Sequence, residues 1–188
     1  PDYIRPFTAY MREAGYYCTN SNKQDYNFKI SDDAWDQSCR YCKGKQKSNI
    51  HWRNRAEGQP FFAVFNFQIT HESQIWAQQS NKRYVTPDQI NNIPPYFPDD
   101  QIIREDMAIN YSNLVRMDIE IGAIISELKE QGLYDNTYIF FYSDHGGPFP
   151  RHKRAIYDSG VKVPLMIKLP KNVKAGNRND DLWSFVDL

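Results

Sequence analysis

Thr137-Tyr138-Ile139-Phe140-Phe141-Tyr142-Ser143-Asp144-His145-Gly146-Gly147 decides how this chain is read. Its first six residues are aromatic or β-branched and follow the turn signal Asp135-Asn136, so they predict a strand. The strand runs directly into a carboxylate, an imidazole and two glycines. Upstream, Ile102 to Gln131 predicts a long helix. Leu114, Met117, Ile121, Ile124, Ile125 and Leu128 form its apolar stripe, and Gly132 its stop. Further upstream, Pro60 to Phe67 is a nearly continuous apolar run, the pattern of a strand covered on both faces. It ends in Gln68-Ile69-Thr70-His71-Glu72. Downstream, Val163 to Ile167 predicts another strand, with an irregular start at Pro164.

Strand, helix and strand in this order predict an α/β fold: a central, largely parallel or mixed sheet flanked by helices. The expectation is that Phe61–Phe67, Thr137–Tyr142 and Val163–Ile167 share one sheet, with the long helix against a face. Ligand groups in such sheets gather beyond the carboxyl ends of the strands. Two of the three strong strands end in a cluster containing a histidine, and that coincidence is the main pointer to a site.

The remaining segments are less regular. Phe7, Tyr10 and Met11 suggest a short helix from Pro6 to Ala14, followed by a strand from Tyr16 to Thr19. Residues 20–59 are polar and predict a long surface excursion, with Trp35 and Trp52 as possible anchors. Residues 86–100 carry four prolines (Pro87, Pro94, Pro95 and Pro98), which argues against regular structure there.

The chain has 188 residues, 40% of them hydrophobic and 24% charged, which predicts a globular core rather than disorder. Lysine and arginine total 23 and so do aspartate and glutamate, so no global field draws the chain to nucleic acid or a membrane surface. Anion recognition must come from a few placed cations. No stretch reaches the length of a membrane span, and no signal peptide is visible at Pro1. Of the three cysteines, Cys39 and Cys42 have zinc-like spacing, with Cys18 and His51 as the available partners. A local disulfide, or free thiols, is the simpler reading.

Several residues are candidates for chemistry. Asp144 and His145 at a strand end suit a divalent metal, with Gly146 and Gly147 letting the backbone turn close to a ligand. An aspartate turn cap beside an incidental histidine is the alternative. His71 has the same placement, where a hydrogen-bonded structural histidine is the commoner occurrence. Arg151, His152, Lys153 and Arg154 form a basic run, either a solvated loop or a cradle for a sulfate or phosphate.

Taken together, four segments in order resemble the sulfatase family of the alkaline-phosphatase superfamily. Ser143-Asp144-His145-Gly146 resembles its second metal-binding segment. Lys153-Arg154-Ala155-Ile156-Tyr157-Asp158-Ser159-Gly160, continuing to Pro164, resembles its Lys-x-x-x-Tyr-Glu-Gly-Gly segment. Phe61 to His71 resembles the strand that delivers an active-site histidine. Gly15 to Lys23 resembles the segment that delivers an earlier lysine.

The resemblance implies an alkaline-phosphatase-like sandwich, of which residues 1–188 form part of one catalytic domain. It implies Asp144 and His145 as ligands of a divalent metal, usually calcium, and Lys23, His71 and Lys153 as groups that hold the sulfate and assist the leaving oxygen. Pro148-Phe149-Pro150 is similar to the heparan N-sulfatase branch, so a sulfated carbohydrate is the expected substrate. A periplasmic, secreted or lysosome-like compartment is implied as well.

There are departures. No cysteine or serine stands in the Cys/Ser-x-Pro/Ala-x-Arg context that yields formylglycine, and the family's first pair of metal-binding aspartates has no counterpart. Asp25 stands where many members have histidine. The expectation is an internal fragment, inactive by itself, of an enzyme whose N-terminal portion supplies the nucleophile. A phosphate or phosphonate ester hydrolase of the same superfamily is one alternative. A non-catalytic module that binds sulfated glycans through Lys23 and Lys153 is another.

Overall fold

The computed structural model describes residues 4–40, 42, 49–77 and 82–188. The chain divides into two compact units, Pro1–Phe67 and Gln68–Leu188.

The first unit is built on a parallel three-stranded sheet. Helix α1 (Phe7–Glu13) leads into β1 (Tyr17–Ser21), which lies between β2 (Gln37–Ser38) and β3 (Phe61–Phe65). The β1–β3 register pairs Tyr17 with Phe61 and Ser21 with Phe65, so the carboxyl ends of both strands finish side by side. Helix α1 packs on β1 through Thr8 and Ala9, which are buried. Phe7 and Tyr10, of the expected apolar stripe, are exposed. The Phe7 ring still meets Phe62 edge-on at 5.2 Å.

The polar stretch 20–59 contains β2, a 3₁₀ turn at Trp52–Asn54 and several buried residues, among them Ala34, Ile50, His51 and Trp52. Residues 41 and 43–48 of it lie outside the described residues. Trp52 anchors the stretch, with its ring 5.5 Å from both Phe61 and Phe65. Cys39 and Cys42 form a disulfide. That corrects the zinc alternative, because a bonded pair offers no thiolate to a metal.

The second unit runs from a short helix α2 (Ser73–Ala77) through a proline-rich loop into α3 (Gln101–Glu130). Asp100 caps α3, its side chain accepting from the Ile103 N–H at 2.9 Å. The core of the unit is Ile90, Met107 and Ala108, packed by Val85, Ile93, Ile103 and Phe149. The proline-rich loop is irregular but well tied. The Arg104 guanidinium donates to the Ile90 carbonyl at 2.7 Å and forks onto Asp99. The Ser112 hydroxyl oxygen accepts from the Tyr84 and Val85 amides.

Strands β4 (Ile139–Tyr142) and β5 (Leu165–Lys168) form an antiparallel ribbon, joined by a loop that contains helix α4 (Asp158–Val161). Phe140 and Tyr142 alternate outward and are about half exposed, and Met166 is 60% exposed.

The α/β class and the long helix agree with the sequence. The single sheet does not, because β3 pairs with β1 while β4 pairs with β5, in separate sheets. An apolar run shows that a strand will be covered, but it carries no information about which backbone fills its hydrogen-bonding edge. Helix α3 packs chiefly on α2 and on the 3₁₀ turns at Pro87–Gln89 and Tyr134–Asn136 rather than along a sheet. Leu128 of its stripe is buried, whereas Leu114 is 37% exposed.

Candidate active site

At the carboxyl ends of β1 and β3, Lys23 is held by a lattice of amides. The chain leaves β1 through Asn22 and Lys23, both in the left-handed region at φ 75° and 73°. Asparagine tolerates that region, but lysine adopts it only when its surroundings impose it. Here they do. The Asn66 side-chain amide donates to Asn20 Oδ1 at 2.9 Å and to the Asn22 carbonyl at 2.7 Å. The Asn20 amide in turn donates to the Lys23 carbonyl at 2.9 Å, and also contacts the Tyr26 hydroxyl. Asn20 is 2% exposed, so these bonds are made away from water. The Lys23 amide is used twice, towards the Arg40 carbonyl and Asn22 Oδ1. Asp25, two residues on, is exposed. Nothing in the sequence marked Asn20 or Asn66, which lie 46 residues apart.

In the second unit, His71 and Lys153 come together. Lys153 Nζ lies 3.1 Å from His71 Nε2, across 82 residues of sequence. The contact lies within hydrogen-bonding distance, and an ammonium can only donate. Nδ1 lies 2.9 Å from the Ser73 hydroxyl and accepts from the Ser73 backbone N–H at 3.2 Å. Glu72 also reaches Lys153, at 3.3 Å, and accepts from both Nη atoms of Arg154 at 2.8 and 2.7 Å. The fork from Arg154, followed by Lys153, holds the Glu72 carboxyl down at about 2.

Lys153 stands on a loop whose backbone is left-handed on both sides, at Arg151 (φ 66°) and Arg154 (φ 69°). Rings support that loop. Tyr96 of the proline-rich segment puts its hydroxyl 3.1 Å from His152 Nε2, and the Arg151 guanidinium lies over the Tyr96 ring at 4.9 Å. Phe149 fixes the loop to the core. Burial of His152 lowers its pKa below the usual imidazole range.

Asp144 and His145 share one turn at the end of β4. His145 Nδ1 donates to the Gly146 carbonyl at 2.7 Å, and Nε2 lies 3.7 Å from Asp144 Oδ2. Two donors at that separation fit one edge of a metal's coordination shell. No group of three or more His, Cys, Asp or Glu side chains gathers for a metal among the described residues. The turn is locked from behind, where the Gly146 amide donates to the Gly160 carbonyl at 2.8 Å. A Cβ on Gly146 would penetrate the Ser159 carbonyl, and one on Gly160 would penetrate those of Ala155 and His152. Glycine is needed here for close approach rather than for a turn.

Cys18 is fully buried, and burial pushes its thiol up to about 11, so it is protonated at neutral pH and is no nucleophile. His51 Nδ1 accepts from the Arg53 amide as a turn cap. Among the described residues, neither belongs to a group of three or more possible metal ligands.

Comparison with known proteins matches the sulfatase family model over residues 7–188. An ulvan-active sulfatase of Formosa agariphila is 40% identical over an alignment of 222 positions, covering 100% of this chain and 36% of that protein. Human N-sulphoglucosamine sulphohydrolase is 33% identical over 54% of the chain and 20% of its own length. N-acetylgalactosamine-6-sulfatase of Rattus norvegicus is 29% identical over 50% of the chain and 21% of its own length. The chain thus spans between a fifth and about a third of the length of these relatives. Sulfatases in general use a divalent metal and a formylglycine nucleophile. With the family model matched from the first helix to the last residue, the chain belongs to the sulfatase family and to its alkaline-phosphatase-like α/β fold class.

Proposed function

We propose that this chain is part of the catalytic domain of a hydrolase that cleaves sulfuric esters or N-sulfates of a sulfated sugar. The observation that carries the reading is the meeting of His71 and Lys153 at 3.1 Å from positions 82 residues apart. A sulfate ester needs its negative charge met before attack and a proton, or a strong hydrogen bond, for the oxygen that leaves. Lys153 supplies positive charge beside His71. A leaving oxygen set beside the His71–Lys153 pair meets a proton donor.

Asp144 and His145 are proposed to hold the metal, which when bound would draw charge from the sulfate oxygens. Calcium is the ion we assign, on the carboxylate of Asp144. The imidazole of His145 is a soft donor for so hard a cation, so a metal test should include zinc. The formylglycine nucleophile would come from outside these 188 residues.

The names of the relatives support a sugar substrate. The Cys39–Cys42 disulfide supports an oxidising compartment, periplasmic, secreted or lysosome-like. No helix among the described residues is long and apolar enough to cross a membrane.

The test is sulfate release by the full-length protein from ulvan and heparan oligosaccharides. His71→Ala should lower the rate by about a hundredfold or more on sugar sulfates and by less on activated aryl sulfates. Equal losses on both would assign His71 a structural role, and unchanged sulfate release would overturn the reading.

A further inference from the structure

We propose that Glu72 is a positioning residue for this reaction: its carboxylate, held on its outer side by Arg154, fixes the ammonium of Lys153 against His71. The inference rests on the reading that Lys153 and His71 serve sulfate cleavage.

The geometry is one-directional. Arg154 is 69% exposed at its side chain, whereas Glu72 and Lys153 are 18% exposed. Arg154 occupies Glu72 with two parallel bonds at 2.8 and 2.7 Å, which fixes the plane of the carboxylate. One of those oxygens, Oε1, is shared with Lys153 Nζ at 3.3 Å. The same turn that presents His71 therefore presents the group that aims the lysine towards His71.

A lysine head on four rotatable bonds is otherwise poorly directed, and Lys153 is adjacent in sequence to the cation of Arg154. Without Glu72, the Lys153 and Arg154 charges would face one another uncompensated. With it, the three groups carry a net charge of one, and a second N–H of Lys153 points at the imidazole. Glu72 acts through Lys153, and that dependence is what an experiment can read.

A double-mutant cycle in the full-length protein separates this from a merely structural ion pair. Glu72→Gln keeps the shape and one acceptor but loses the charge. It should lower kcat on a sugar sulfate by about tenfold to a hundredfold, the scale of a misdirected reacting group. On an activated aryl sulfate, whose leaving oxygen needs little help, the loss should stay within about threefold. In a Lys153→Ala background the same Glu72→Gln change should add nothing, within about twofold. Arg154→Ala should reproduce a weaker version of the Glu72→Gln effect, and as an exposed truncation it leaves the core intact.

Losses that multiply in the double variant would overturn the proposal, because Glu72 would then act independently of Lys153. An equal loss on both substrates, accompanied by a lowered Tm, would also overturn it in favour of a stabilising role. If Lys153→Ala itself leaves sulfate release unchanged, the functional reading fails rather than the geometry of the clamp.

Discussion

The two units aim a lysine by opposite means. Around Lys23 the aiming is neutral: the amides of buried Asn20 and half-buried Asn66 hold two left-handed residues at the end of β1. Around Lys153 it is ionic and peripheral: a carboxylate, a fork from Arg154 and the Tyr96 ring hold a loop that is left-handed on both sides. Buried amide lattices resist pH and salt but fail when one member is removed, since the partners left behind lose a bond they cannot recover from water. Ion pairs near the surface contribute less to stability and depend on the ionisation of their members. The difference suggests that Lys23 is placed by the fold, while Lys153 is placed by a local device attached to it.

The largest effect expected is on the backbone that carries the device. Gly160→Ala forces a methyl group into the Ala155 and His152 carbonyls, and atoms of the main chain cannot rotate aside. The loss should be about 3 kcal/mol, the upper range for overpacking, and should appear as a lowered urea midpoint. A midpoint within error of the parent would show that the loop around Lys153 is free to shift, which would dissolve the contrast from the ionic side.

Next in size is Asn66→Ala in the amide lattice. It removes both bonds from the Asn66 amide, to Asn20 Oδ1 and to the Asn22 carbonyl. The cost should be about 1–3 kcal/mol at neutral pH, and it should be the same in low and high salt. A strong salt dependence would mean that charge, not amide bonding, sets the Lys23 turn.

The smallest effect expected is that of mild acid on the clamp. The Glu72 carboxyl is lowered from 4.5 to about 2 by Arg154 first and Lys153 after it. A depressed acid contributes stability that is fully present above its unfolded pKa and is lost as pH falls through the folded one. The Glu72 contribution should therefore be constant from neutral pH down to near 5, then shrink towards pH 2. Carboxyl ¹³C shifts followed by NMR titration would check this. A midpoint near 4.5 would show that the clamp does not form in solution.

The sequence made the elements legible where a pattern is local. Helix α3 was visible from its periodic apolar positions, and β3 and β4 from apolar runs that stop at polar clusters. Boundaries moved by a residue or two, as at Asn66, which leaves the strand to bond sideways, and at Pro164, which delays β5 to Leu165. Strand pairing was not legible, because backbone hydrogen bonds do not depend on the side chains that make a strand apolar.

The resemblance pointed to His71 and Lys153, and the structure brings them together; it could not point to Glu72 as their link. A glutamate in a turn is ordinary, and its partners lie 81 and 82 residues away. The same holds for Tyr96, which sits in a segment the sequence marked only as irregular.

The contact between Gly146 and Gly160 has a consequence for genetics. Most steric lesions can be suppressed at a second site, by shrinking the neighbour that is struck. Here the atoms struck are carbonyls of Ser159, Ala155 and His152, which every amino acid carries. No second-site side-chain change can restore the room, so a screen for suppressors of either lesion should return only revertants to glycine.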